Sequence, residues 1–202
     1  MQISNSSPQY NVNKNITFGS QKLFPVLLEK TLVNGTKEKI SAHFSLLEKS
    51  DIGDLFKHRK EIKNTKYGEY ILDEIICFFK KRMYSYNFFG IELEQKTKKF
   101  EGLSSVFNSN WLEIDYLQNI KQEKSIKGIG TALLYGICKF AQKNNKNHIE
   151  LIAADETLYN FYKNIGFTNK GLNQSKFMLT DQDYGSTIDY IEQNFYKDLI
   201  CK

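Results

Sequence analysis

Two glycines at the mouth of an apolar helix constrain this chain more than any other feature. They stand in Lys127-Gly128-Ile129-Gly130-Thr131-Ala132-Leu133-Leu134, and the helical pattern runs on to about Lys143. His148 to Ala154 follows as one apolar run and reads as a strand. Thr157 to Ile165 reads as the next helix, with Leu158, Phe161, Tyr162 and Ile165 on its inner face, and it closes on Gly166-Phe167. Glycines at a loop-to-helix junction let backbone N–H groups approach a phosphate, and the helix N-terminus adds partial positive charge. A dinucleotide fingerprint would need a third Gly or Ala three residues after Gly130, where Leu133 stands. A Walker loop would need Gly-Lys-Ser/Thr, which this segment lacks.

The remaining pattern supplies a sheet. Leu23 to Val33 and Lys39 to Glu48 flank Asn34-Gly35, which predicts a hairpin with positive φ at both turn residues. Pro25 sets the first strand at an edge or at its own beginning. Ser50-Asp51 reads as the cap of a helix carrying Ile52, Leu55, Phe56 and Ile62. A second helix runs from Tyr67 to about Tyr84, with Ile71, Ile75, Phe78 and Phe79 on one face. Strands follow at Asn87 to Glu94, Phe100 to Val106 and Asn110 to Asn119, and a last one at Lys176 to Thr180. Ser186-Thr187-Ile188-Asp189 reads as a capping box opening a terminal helix. Its stripe of Ile188, Ile191, Phe195 and Leu199 must bury on the domain or on a partner, a homodimer included. This order predicts an α/β (α+β) chain with helices packed on a mixed sheet. The expected organisation is a flexible polar leader at 1–22, one domain at 23–180, and an amphipathic C-terminal helix at 181–202.

Composition narrows the function classes. The 202 residues are 41% hydrophobic, enough to bury a sizeable core. The net charge of +5 is spread out, and the one basic run, Lys57-His58-Arg59-Lys60, reads as a solvated helix face. No basic surface interleaved with aromatics is visible, so nucleic acid is not an expected partner. Cys77, Cys138 and Cys201 show no metal spacing, and an odd count without an export signal points to a reducing, cytoplasmic setting. Cys77 and Cys138 sit in apolar helical segments and read as buried thiols. His43, His58 and His148 are scattered, so no metal site is expected. No apolar run approaches the roughly 20 residues that span a bilayer, so no membrane partner is expected.

The order of glycine-opened helix, strand, and helix with Tyr162 resembles the acyl-CoA-binding half of the GCN5-related N-acetyltransferase (GNAT) superfamily. The resemblance covers about Lys39 to Thr180 and includes two helices between the first and second core strands. It implies a mostly antiparallel central sheet with helices on both faces, here with an extra N-terminal hairpin strand and an extra C-terminal helix. It implies acetyl-CoA as co-substrate, with its phosphates at Lys127, Gly128, Ile129, Gly130 and Thr131. Ser125 stands where the family carries Gln or Arg, which removes a side-chain contact but leaves the backbone cradle. The strand before that loop is expected to bulge, and a free N–H from Leu117, Gln118 or Asn119 to meet the thioester oxygen. Tyr162 matches the family's general acid, with Tyr159 as a neighbouring alternative; spacing alone also fits a core tyrosine. Glu113 and Asp115, on one face of that strand by alternation, are candidates for the base, Glu113 first. Asp155 reads as an N-cap. The implied reaction is transfer of acetyl to a primary amine, on a small molecule or a protein, by direct attack. The alternative is a catalytically inactive CoA-binding or interaction module of the same fold.

Overall fold

The structure is a computed structural model that describes residues 21–81, 85–94, 100–120, 126–171 and 175–196. The expected leader up to residue 20, Ser125, Leu199 and Cys201 lie outside the described residues.

The hairpin forms where Asn34-Gly35 places it, with a different turn. Strands β1 (Gln21–Thr31) and β2 (Lys37–Leu46) pair antiparallel. The Gly35 N–H donates to the Leu32 carbonyl at 2.9 Å, and the Leu32 N–H to the Thr36 carbonyl at 2.8 Å. Gly35 takes φ of 81° while Asn34 stays out of the left-handed region. The Asn34 side chain accepts from the Thr36 N–H at 3.0 Å and from its hydroxyl at 2.6 Å. That side chain holds the turn, so a three-residue loop with one left-handed glycine replaces the expected two-residue turn. Pro25 faces His43 across the hairpin, on a strand whose outer edge is paired, among the described residues, only at Glu29 and Lys30.

The helix expected after Ser50 breaks in two at His58, giving α1 (Ile52–Lys57) and α2 (Arg59–Lys63). The cap comes from an upstream 3-10 turn, where the Glu48 N–H donates to the Asp51 carboxylate at 2.7 Å. Helix α3 (Gly68–Lys81) follows. The later strands are β3 (Tyr86–Leu93), β4 (Phe100–Asn108), β5 (Leu112–Asn119), β6 (Ile126–Lys127), β7 (His148–Ile152), β8 (Thr168–Asn169) and β9 (Lys176–Thr180). The short β6 and β8 are additions to the expected set. Helices α4 (Ile129–Lys143), α5 (Tyr159–Ile165) and α6 (Tyr184–Phe195) complete the chain. One sheet results, in the order β6-β1-β2-β3-β4-β5-β7-β9-β8. Every neighbouring pair is antiparallel except β5 and β7.

Two apolar clusters occupy the two faces. On one, Leu55, Ile62, Ile71, Leu72 and Ile75 pack on Phe88 and Leu103. On the other, α4 buries Ala132, Leu133, Ile137 and Cys138 with Phe44, Phe89, Ile114, Ile149 and Leu151. Helix α4 approaches β2 closely: a Cβ at Gly136 would stand 2.2 Å from the Phe44 ring. The outer side of α4 is covered by α6. The Tyr135 hydroxyl donates to Glu192 at 2.6 Å, Lys139 lies 3.3 Å from the same carboxylate, and the Tyr135 and Tyr196 rings meet edge-on at 4.8 Å. Of the terminal stripe, Ile188 and Ile191 therefore bury on the domain itself.

Three expectations are corrected here. Helix α6 begins at Tyr184, straight off a 3-10 turn at Asp181–Asp183, so Ser186 to Asp189 lies inside the helix and caps nothing. The Ser186 hydroxyl instead bonds back to the Asp183 carbonyl at 3.0 Å. The buried face is Tyr184, Thr187, Ile188 and Ile191, whereas Phe195 is 39% exposed. Cys138 is buried and its thiol pushed up to about 12 by that burial, but Cys77 is exposed. Among the described residues, no helix is long and apolar enough to cross a membrane.

Candidate functional site

The glycine pair opens α4. Gly128 takes φ of 88°, a left-handed backbone that L side chains rarely adopt. The first intrahelical bond runs from the Ala132 N–H to the Gly128 carbonyl at 2.8 Å. No side chain caps the helix, which leaves the N–H groups of Ile129, Gly130 and Thr131 without helical partners. Among the described residues, a Cβ at Gly130 would meet only Leu117, at 3.7 Å, and one at Gly128 nothing within 4 Å. Among the described residues nothing fills the space before these three donors, at the positive end of a 15-residue helix. Ile129 offers only its backbone, since its side chain is 2% exposed. Lys127 pairs with Glu29 across β6 and β1. With Lys39, Gly128, Thr131 and Tyr196 it borders a cavity of about 200 Å³ beside the helix start.

The strand before this loop bulges, as the resemblance implied. Tyr116 faces Ser105 and Ile114 faces Val106, so Asp115 is the extra residue. Strand β5 pairs with β7 only across Leu112–Ile114 and Ile149–Leu151. Beyond that the two parallel strands part. The Ile120 N–H donates to the Glu101 carbonyl at 2.9 Å, so Gln118, two residues back, also bonds toward β4. By the same alternation the N–H groups of Leu117 and Asn119 point to the parted side. Of the three expected donors, Gln118 is thus spent in the ladder. Its side chain accepts from the Tyr67 N–H at 3.1 Å and donates to the Asn119 carbonyl at 2.6 Å.

Tyr162 lies on the inner face of α5 and is 7% exposed. Its ring packs on Phe161, Phe167 and Phe177 at centroid distances of 5.3, 6.0 and 5.5 Å. Burial holds its phenol above the ordinary value, and the Asp155 carboxylate and Tyr67 phenol nearby add to this. Tyr67 lies against Tyr116 at 5.6 Å, and Tyr116 stacks on Tyr70 at 5.9 Å. Tyrosines from α2–α3, β5 and α5 thus gather around the parted strands. Tyr159 packs on Phe177 at 5.5 Å. Asp155 is the N-cap its position suggested, accepting from the Thr157 N–H at 3.0 Å.

Glu113 and Asp115 do share a face. Both line a cavity of about 310 Å³ with Glu74, Tyr86, Ile114, Tyr116 and Ile152. Burial holds the Asp115 carboxyl above its usual range against a hydrogen bond from Tyr86, and the charge of Glu113 adds to the rise. Burial likewise raises Glu74, opposed by the Ser105 hydroxyl at 2.5 Å and reinforced by Asp115. Tyr86 is pushed up to about 12, first by burial and then by Asp115. Sequence reasoning passed over Glu74, Tyr86 and Ile152. For Glu74 a signal existed: it falls inside the apolar stripe of α3, between Ile71, Ile75 and Phe78, where a carboxylate is out of place.

No protein-family model matches the chain, and no curated protein does. Solved structures do. A chimera of spermidine N-acetyltransferase SpeG from Vibrio cholerae and hSSAT (K23-Q34) superposes with a TM-score of 0.54 at 18% identity. The match covers 71% of this chain and 98% of that one. A second chimera of the pair (K23-Y30) gives 0.50 at 18% identity, over 70% of this chain and 98% of its own. PaiA N-acetyltransferase from Thermoplasma acidophilum, in complex with coenzyme A, gives 0.49 at 19% identity, over 69% and 97%. With its order of elements, its one parallel strand pair and its glycine-opened helix, the chain has the fold of the GCN5-related N-acetyltransferase superfamily.

Proposed function

We propose that this protein is an N-acetyltransferase that moves acetyl from acetyl-CoA to a primary amine by direct attack. The observation that carries the reading is the parting of β5 from β7 after Ile114, with the uncapped start of α4 beside it and Tyr162 across it. Acetyl-CoA supplies an activated acyl group. The N–H groups of Ile129, Gly130 and Thr131, preceded by left-handed Gly128 and exposed Lys127, suit its phosphates. The outward N–H groups of Leu117 and Asn119 are placed to stabilise negative charge growing on a carbonyl oxygen, where a fixed donor helps most. Tyr162, kept protonated by burial, holds a proton for the departing thiolate. Glu113 or Asp115 takes the proton the amine must lose, directly or through water. Among the described residues the Glu113 side chain makes no hydrogen bond, whereas Asp115 is engaged by Tyr86.

The test has two steps on the full chain. Calorimetry should detect acetyl-CoA binding, and a thiol-release assay over a panel of amines should then detect turnover. Absence of acetyl-CoA binding sinks the reading. Binding with no release for any amine replaces it with a non-catalytic CoA-binding module.

A further inference from the structure

The cavity beyond the parted strands has a chemistry of its own. Three carboxylates, Glu74, Glu113 and Asp115, border about 310 Å³, with no lysine or arginine among the described lining residues. Lys176, a cation that feels Glu113, is paired to Glu150 at 2.9 Å on β7. Glu74 and Asp115 repel each other and are partly desolvated, and among the described residues only the Ser105 and Tyr86 hydroxyls donate to them. No group of His, Cys, Asp or Glu among the described residues is arranged to hold a metal ion. The walls also carry rings, Tyr86 and Tyr116, which suit an ammonium. Glu74 and Tyr86 are shared with an adjoining cavity of about 120 Å³ completed by Cys77, Phe78 and Phe88. Charge beside an apolar annex matches a hydrocarbon chain bearing spaced ammonium groups.

Resting on the acetyltransferase reading, we infer that the acceptor is a small aliphatic amine carrying a second ammonium group, a diamine or polyamine. The reacting amine lies toward Asp115, where β5 bulges at the parted strands. The second ammonium is held by Glu74 and Glu113, and methylenes lie along Tyr86 toward Phe78 and Phe88. When the neutral amine nitrogen bonds the acetyl carbon, the carbon–sulfur bond breaks; one proton leaves nitrogen for a carboxylate and the thiolate takes one from Tyr162.

Direct titration of the full chain with 1,4-diaminobutane, n-butylamine and a lysine-rich peptide tests this without acetyl-CoA. The diamine should bind at least about tenfold tighter than the monoamine, the scale of one charge-assisted contact. Glu74→Gln should erase that preference, and Asp115→Asn, as a second variant, should weaken both amines. Equal affinity for diamine and monoamine overturns the inference, as does tighter binding of the peptide than of the diamine, or a preference that survives Glu74→Gln. If acetyl-CoA fails to bind, the transfer reading falls while the diamine titration still decides the cavity. If acetyl-CoA binds and only monoamines are acetylated, the reading stands and the inference falls.

Discussion

The two faces of the sheet at β5 are built by opposite means. On the α4 face, the proposed phosphate cradle lies within Lys127 to Thr131, and the helix behind it is buried by the sheet on one side and α6 on the other. On the α3 face, the acidic cavity is assembled from α3, β3, β5 and β7, whose residues are spread from Glu74 to Ile152. The first is a contiguous backbone device on a rigid support. The second is a convergence of side chains that exists only once the fold does. The difference teaches where a shared fold keeps its common chemistry and where it is free to vary the partner.

The largest test of this contrast is Gly130→Asp. A side chain fits there without steric conflict, since Leu117 is 3.7 Å from the added Cβ. The fold should therefore survive, while a carboxylate placed before the helix N-terminus should take acetyl-CoA binding below calorimetric detection. Diamine binding on the far face should persist. Loss of both together would mean that the two faces are not separable.

Next comes the support itself. Ile191 is fully buried on the face of α6 packed toward α4, so Ile191→Ala should cost about 2–5 kcal/mol of stability by denaturant unfolding. Phe195→Ala, on a ring that is 39% exposed, should cost well under half of that, about 1 kcal/mol. Equal losses would restore the stripe as the periodicity first drew it.

Tyr162→Phe probes the seam between the faces. The ring contacts with Phe161, Phe167 and Phe177 remain, so stability and acetyl-CoA affinity should stay close to wild type. Turnover should fall on the order of 10²-fold, in kcat more than KM. Unchanged kcat would leave Tyr162 a core residue and return the acid role to Tyr159 or water.

The same contrast decides how much was legible. The glycine-opened start of α4 could be read because glycine position and helix start are local, and the burial of Tyr162 because its helix keeps one apolar period. The bulge was also written in the chain: the residues packing toward α4 run Leu112, Ile114, Leu117, a step of two and then of three. The three donors expected on β5 reduce to two only through the Ile120–Glu101 bond, which no sequence pattern encodes. Strands β6 and β8, two residues each, are too short to show a period. The Ser186 to Asp189 pattern misled because the same residue types recur inside a helix, where Ser186 bonds back to Asp183. Tyr86 and Ile152 carried no signal, since their role comes from tertiary proximity alone.

The smallest effect has an unusual sign. Burial raises the Glu74 carboxyl above its ordinary 4.5, and the charge of Asp115 adds to this, so the folded chain holds that proton to higher pH than the unfolded chain does. Between the ordinary value and the raised one, the folded state binds more protons, and stability falls as pH climbs through that window. Above it the cost of the ionised Glu74 is fully present. Gln carries no charge and still offers Ser105 an acceptor, so Glu74→Gln should make the free protein more stable at pH 7. The group is half open to solvent, which screens the gain to under about 1 kcal/mol. The gain should vanish below pH 4.5, where Glu74 is protonated in both states. Denaturant unfolding at pH 7 and pH 4 measures the difference. A variant less stable than wild type at pH 7 would show that the Ser105 bond outweighs the burial. A variant both more stable and poorer at holding 1,4-diaminobutane would show the free fold keeping an unfavourable charge because its ligand uses it, which the α4 face, with its neutral backbone donors, has no need to do.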